Sequence, residues 1–270
     1  MHGAVPCACR NVGWGNNQIW KIEHSGGHDY LKRYLTGVDA YRRELWALAA
    51  LKGKLPVPQV LLTREDDGTG HPFVLTRGIE GVPLDKVDHG RVPLVAQMGA
   101  VLARLHSLQG ELRPLPAVVK PRAVPTVDEF LKATGAEFGS IINRNRVAAT
   151  LQALREPRRP VLAHGDFGDY QCLVAAGQIV GVVDWEGVGS AEPEVDLALA
   201  GAFLRAFREP AEEAALMDGY RQVCRFCPDP HLYEDLLQVS LLNLHFLWRS
   251  RGKDFEARQA QQALLRIVPG

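Results

Sequence analysis

An α+β fold in two lobes is predicted for this chain: a small antiparallel β-sheet carrying one helix, followed by a larger, mainly helical lobe in which a β-hairpin is embedded. Three observations predict it. Short runs of β-type residues crowd into the first third of the 270-residue sequence. Helical periodicity dominates beyond residue 93. Between them lies a Gly- and Pro-bearing connector, residues 77–83, with the composition of a domain boundary. The order strand, strand, helix, strand, strand suits an antiparallel sheet with one helix, and not the alternating units of a doubly wound dinucleotide fold. The expected organisation is a first lobe over 1–77, a linker over 78–83 and a second lobe over 84–270.

Each element has its own signal. Residues 18–23 and 29–35 are β-type runs separated by His24-Ser25-Gly26-Gly27, a tight-turn sequence. Residues 38–52 place Tyr41, Leu45, Leu48 and Leu51 on one side of a helix. Two further strands, 59–63 and 72–76, are split by a polar turn over 64–70. In the second lobe, helices are expected over 93–107, 127–138, 140–155, 193–208, 210–223, 231–249 and 254–267. The proline-rich stretch 114–125 is expected to be a surface connection. Residues 171–186 differ from their surroundings: they read strand–turn–strand, with Ala175-Ala176-Gly177 as the turn.

Composition narrows the classes of function. The 31 basic residues balance the 31 acidic ones, so nothing electrostatic points to nucleic acid or a membrane surface as partner. No apolar stretch approaches the roughly 20 residues a bilayer span requires. The N-terminus has no basic segment followed by an apolar core, and a cytoplasmic protein is expected, with no obligate protein partner evident. Five cysteines in a chain this long make no disulfide framework. Cys7 and Cys9 are too closely spaced to join Cys224 and Cys227 in a structural zinc site. Buried or incidental thiols are the expected reading, with Cys172 a packing residue.

The chemistry concentrates in residues 164–186. His164-Gly165-Asp166 closes one short apolar run, Gln171 follows five residues after Asp166, and Asp184-Trp185-Glu186 closes another. A hairpin here can bring Asp166 and Asp184 to one end of a small sheet. Phosphoryl transfer needs such a pair: one carboxylate orients a hydroxyl nucleophile, and the other holds Mg²⁺ on the nucleotide phosphates. An isolated Asp would more simply cap a turn; the companions in register argue for chemistry.

These residues resemble the aminoglycoside phosphotransferase-type small-molecule kinases, whose motif reads H-G-D-x-x-x-x-N followed by I-D-W-E or similar. On that motif the chain is identified as a member of this protein-kinase-like superfamily. The resemblance runs over roughly residues 11–208 and is strongest in 161–198. It implies a bilobal kinase-like fold, ATP or GTP as co-substrate, Mg²⁺ as the metal and a small hydroxylated molecule as acceptor. On the matching positions it implies Asp166 as the catalytic residue, Asp184 as a metal ligand and Lys32 as the contact to the α- and β-phosphates. Arg33 must then face the other side of its strand. Glu44, on the flank of the helix's apolar stripe, needs a cation to offset its desolvation, and Lys32 is the expected partner. Gly13, Gly15 and Asn16 match the nucleotide-covering loop, where glycine lets backbone approach phosphate. Thr76 and Gly78 match the inter-lobe hinge that reads the purine edge. His164 and His106 are expected to be structural, and Asp196 to brace the catalytic loop.

Gln171 departs from the pattern. The family places Asn here as a metal ligand; Gln keeps the amide oxygen but carries it one methylene farther out, against a metal that tolerates little geometric error. Asp169 could compensate for it or face the acceptor, and Glu186 could face metal or acceptor; both are assigned to the acceptor. The expected acceptor is an antibiotic or related natural product. The alternatives are a small alcohol, amino alcohol or sugar, or a catalytically impaired nucleotide-binding protein.

Overall fold

The computed structural model describes residues 8–13, 17–112, 114–119, 144–155, 157–224 and 227–267. The helix expected over 127–138, the start of the one over 140–155, and Gly15, Asn16 and Cys7 lie outside them.

The first lobe is a five-stranded antiparallel sheet of order β1-β2-β3-β5-β4. Its strands are β1 (Ala8–Asn11), β2 (Gln18–His24), β3 (Gly27–Arg33), β4 (Val60–Arg64) and β5 (Phe73–Arg77). Helix α1 (Val38–Ala50) packs on it, burying Tyr41 and Ala40 against Tyr34 and Val74. Strand β1 precedes the Gly13 loop, where the resemblance implies a first strand, but no run of residues marks it in the sequence. All four of its residues are exposed at the sheet edge, so it shows none of the apolar alternation that reveals a half-buried strand.

The connector adds one short strand, β6 (Val82–Pro83), to the hairpin of β8 (Cys172–Ala175) and β9 (Gln178–Val182). At the hairpin tip Ala176 and Gly177 both take positive φ (47° and 73°), the hand that matches strand twist in a tight turn. Strand β7 (Val161–Ala163), buried throughout, pairs antiparallel with β10 (Gly189–Ala191). It delivers His164 to the end of a rigid segment.

The rest of the second lobe is helical among the described residues: α2 (Arg91–Ser107), which packs on the hairpin, α3 (Arg144–Arg155), α4 (Pro193–Phe207), α5 (Pro210–Val223), α6 (Pro230–Ser250) and α7 (Asp254–Ile267). Three of them begin with proline, whose fixed φ and missing N–H suit the first helical position. Asp229 caps α6 by accepting from the N–H groups of His231 and Leu232. One continuous apolar core runs from α1 through α2 and the hairpin to α7. Among the described residues, no helix is long and apolar enough to cross a membrane.

Candidate active site

Lys32 is where the two lobes meet. Its ammonium donates to Glu44 Oε2 of α1 at 2.7 Å and to Asp184 Oδ1 at 2.5 Å, and lies 2.9 Å from Glu186 Oε2. Burial opposes its charge, but the carboxylates of Glu44, Asp184 and Glu186 outweigh burial and hold the group above the usual lysine range. Tyr34 donates to the same Glu44 oxygen at 2.6 Å. Burial, and next the Glu44 charge, push this phenol up, so it stays a donor. Arg33 turns to the other face of β3, where it binds Asp67 and Gln18, as strand alternation requires.

Asp184 follows β9 at φ 69°, ψ 58°, a left-handed conformation that non-glycine residues adopt at a cost. The turn Trp185–Gly187 after it packs on α1 and, besides the Lys32 contact, is tied to the first lobe by two hydrogen bonds. Asn17 Nδ2 donates to Glu186 Oε2 at 2.5 Å, and Arg43 Nε donates to the Glu186 carbonyl at 2.7 Å. Neither Asn17 nor Arg43 carried a sequence signal beyond proximity to the glycine loop and to Glu44.

Asp166 stands in the loop after β7 with both carboxylate oxygens engaged. Tyr170 donates to Oδ1 at 3.0 Å and Gln171 Nε2 to Oδ2 at 3.2 Å. The loop's shape comes from its neighbours. His164 Nδ1 accepts from the Asp166 N–H at 3.3 Å while Nε2 donates to the Val183 carbonyl at 3.1 Å, which fixes a neutral ring. Burial pushes this imidazole below its ordinary value, in keeping with a structural part. Gly165 has φ 84°, and a Cβ there would stand 2.1 Å from the Gly187 carbonyl oxygen, so only glycine lets the two loops touch. Asp196, fully buried, accepts the N–H of His164 at 2.7 Å and of Gly165 at 2.8 Å, and contacts His106 Nε2 at 3.3 Å. Burial raises its pKa, but the hydrogen bond and charge of His106, with the loop N–H groups, outweigh that and hold it below the ordinary value.

Other expected site residues fall elsewhere. Asp169, assigned to the acceptor, is buried at 4% exposure and accepts from Arg91 Nη2 at 2.8 Å and Arg208 Nε at 3.3 Å. A buried carboxylate is stable only when paired, and this one is matched by arginines of α2 and of the α4 terminus. Glu186, also assigned to the acceptor, turns its carboxylate to Lys32 and Asn17 of the first lobe. The hinge needs correction as well. The Gly78 N–H donates to the His28 carbonyl at 2.9 Å, extending the sheet, and Thr76 pairs with Tyr30 and Val60 inside it. Neither backbone is free to read a purine edge with the groups these ladders use. Gly13 closes the β1–β2 turn, donating to Asn11 Oδ1 and the Ile19 carbonyl; a Cβ there would lie 2.8 Å from Ile19 N.

The donor set fits a hard divalent cation. Glu44, Asp184 and Glu186 bring carboxylate oxygens within 4.8 Å of one another, three negative groups against the single ammonium of Lys32. Gln171 Oε1 is buried without a hydrogen-bond partner, an amide oxygen whose other end is fixed on Asp166. Among the described residues this is the one cluster of such ligands. Cys224 is buried, Cys227 and Cys9 are exposed, and they form no thiolate site.

A model of the phosphotransferase enzyme family matches residues 10–236. An aminoglycoside 3'-phosphotransferase of Niallia circulans is 26% identical over 211 residues, 68% of this chain and 77% of that protein. Among solved structures, the apo form of a thermostable mutant of aminoglycoside phosphotransferase APH(4)-Ia superposes with TM-score 0.69 at 18% identity, over 97% of this chain and 94% of that one. The macrolide 2'-phosphotransferase MphH of Brachybacterium faecium does so with TM-score 0.63 at 19% identity, over 97% and 94%. At such identities the likeness establishes the kinase-like bilobal fold. The match over residues 10–236 takes in both lobes, Lys32, the 164–171 loop and Asp184, and the chain belongs to the phosphotransferase enzyme family.

Proposed function

We propose that this phosphotransferase moves the γ-phosphoryl group of ATP or GTP, with Mg²⁺, to a hydroxyl of a small molecule, an antibiotic or a related natural product. One observation carries the reading: Glu44, Lys32, Asp184 and Glu186 form a single charged cluster across the two lobes, beside a loop that holds Asp166 by both oxygens. The 26% identical relative is an aminoglycoside 3'-phosphotransferase. Neighbours in fold were solved with ADP and hygromycin B and with GDP and kanamycin. These support a nucleotide and an antibiotic as the substrate classes.

Asp166 orients the acceptor hydroxyl and takes its proton. A strong base is not required, since the loose transition state of phosphoryl transfer asks mainly for positioning and charge stabilisation. Lys32 places positive charge against the α- and β-phosphate oxygens, and Glu44 holds it there. Asp184, Glu186 and the amide oxygen of Gln171 are the residues that would hold the metal. When bound, Mg²⁺ neutralises charge on the phosphates and orients them. Gly13, with Gly15 and Asn16, is assigned to the loop covering the phosphates. Asp169 acts at a distance, anchoring the turn that carries Tyr170 and Gln171. Transfer is direct and in line, from nucleotide to acceptor hydroxyl.

The test is ADP or GDP release with Mg²⁺ against kanamycin, hygromycin B, a macrolide and simple sugars and alcohols. Mass spectrometry reads the gain of one phosphoryl group, and Asp166→Asn is the control. The expected result is a phosphorylated product for at least one acceptor, falling by ~10²-fold or more in the variant. Product formed at an undiminished rate by Asp166→Asn would remove Asp166 from the chemistry and with it this reading.

A further inference from the structure

The loop between Asp166 and Gln171 carries an aromatic side chain that the reading above leaves without a task. Tyr170 donates its hydroxyl to Asp166 Oδ1 at 3.0 Å, opposite the 3.2 Å bond from Gln171 to Oδ2. The ring is held on two sides. Its centroid lies 4.7 Å from that of Phe203 in α4, tilted by 57°, and Phe203 in turn meets Trp248 of α6 at 5.6 Å and 80°. On the other side the ring lies over Gly168, where a Cβ would stand 2.4 Å from Tyr170 Cε1 and 2.9 Å from Cδ1. Glycine at 168 is therefore what admits the ring, and the two residues form one device. Burial, and next the charge of Asp166, push the phenol well above its ordinary range, so it remains an O–H donor.

We propose that Tyr170 is a positioning residue for phosphoryl transfer: its hydroxyl, acting with Gln171, fixes the plane of the Asp166 carboxylate that orients the incoming acceptor hydroxyl. The proposal rests on Asp166 being the catalytic residue. A carboxylate turns easily about its terminal torsion, which has broad, two-fold wells. Two donors, one per oxygen, remove that freedom. The Asp166 side chain itself is short and partly exposed, so packing does not fix its plane. Gln171, reaching one methylene farther than the family's Asn, supplies the second donor.

Tyr170→Phe isolates the hydroxyl, because the ring keeps its contacts with Phe203 and Gly168. Basal hydrolysis of Mg·ATP and Mg·GTP by the full chain is the readout, since water serves as acceptor whatever the natural one is. Loss of a hydrogen bond to an ionised acceptor is expected to lower kcat by ~10- to 100-fold, with KM for nucleotide and the thermal unfolding midpoint unchanged. Gly168→Ala, which displaces the ring, should lower kcat likewise. Tyr170→Phe added to Asp166→Asn should cost nothing further, because the phenol acts through that carboxylate. A Tyr170→Phe variant with wild-type kcat, or one whose loss multiplies with that of Asp166→Asn, overturns the proposal while leaving Asp166 in place. An Asp166→Asn enzyme with wild-type hydrolysis overturns the catalytic reading itself, and this inference falls with it.

Discussion

Replacing Lys32 by Met removes the one cation from a cluster of three carboxylates while keeping most of the side chain's apolar stem. The three partners do not share the loss equally. The Glu44 side chain is 10% exposed, whereas Asp184 and Glu186 stand at 41% and 26%, where water screens them. Glu44 therefore sets the cost. Stripping one partner from a buried ion pair destabilises by about 3–5 kcal/mol; the lower end, with the pair near a cleft, corresponds to a fall of roughly 6–12 °C in unfolding midpoint for a chain of this size. The dependence on pH is more diagnostic. Burial already pushes the Glu44 carboxyl above its ordinary value of 4.5, and Lys32 is the main group that opposes the shift, with the Tyr34 hydroxyl beside it. In Lys32→Met the folded pKa rises further, so the fold holds a proton that the unfolded chain has released. Stability of the variant must then fall as pH rises from about 4.5, and the deficit is largest where Glu44 would be ionised. Urea unfolding of wild type, Lys32→Met, Glu44→Gln and the double variant, from about pH 4.5 to about pH 8, tests this. The double variant should recover much of the loss of Lys32→Met, because the uncompensated charge is gone. A deficit constant with pH, or strictly additive single effects, would refute the reasoning.

Three further outcomes are expected. His164 is neutral in the fold and its pKa lies below 6.5, so as pH falls past that value the unfolded chain takes up a proton the fold refuses. The urea midpoint should drop between about pH 7 and about pH 5, with a shallower slope in His164→Gln. Gly219→Ala puts a Cβ 1.8 Å from the Ala96 carbonyl oxygen, where α5 crosses α2 and only backbone can yield. It should cost about 1–3 kcal/mol or more in calorimetry, against no loss for Gly110→Ala, where nothing lies within 4 Å. Arg91→Met leaves Glu212 without its charge partner and Asp169 with Arg208 alone. A loss of about 3 kcal/mol should come with reduced basal hydrolysis, since the 169–171 turn presents Tyr170 and Gln171 to Asp166.

What the sequence made legible is what local spacing encodes. A strand alternates its faces, so only one of Lys32 and Arg33 can enter the cleft, and the resemblance selects Lys32; Glu44 flanks an apolar helical stripe within a short span of it. Asp166, His164 and Asp184 stand at the ends of apolar runs, and β7 and β9 do end there. The failures share a cause of the opposite kind. Asp169 looked like an acceptor ligand because its partners, Arg91 and Arg208, lie 78 and 39 residues away and nothing local announces them. Gly78 looked like a hinge contact because the ladder bond that occupies its N–H comes from His28, across the sheet. Strand β1 is implied only by the place of the glycine loop between two strands, since an exposed edge strand needs one neighbour and no apolar face and its residues give no signal of their own.

An acid in sequence is thus an open question with two answers, ligand or ion-pair member, and only the position of the nearest arginine or lysine decides between them. Asp169 and Glu186 illustrate both sides. Asp169 has two arginines and 4% exposure, with its charge matched from within the protein. Glu186 shares one lysine with two other carboxylates and keeps its side chain 26% exposed, which leaves negative charge at the cleft for a cation to meet. Gln171 follows the same logic in a neutral group. Substituted for Asn, it looks like a defect at a metal site; in the fold its N–H₂ donates to Asp166 while its oxygen is buried without a hydrogen-bond partner. Tyr170 donates to the other carboxylate oxygen, and its ring lies where a Cβ on Gly168 would stand. Gly168, Tyr170 and Gln171 thus act together on a single carboxylate, with one donor to each oxygen and a glycine that admits the ring carrying one of them.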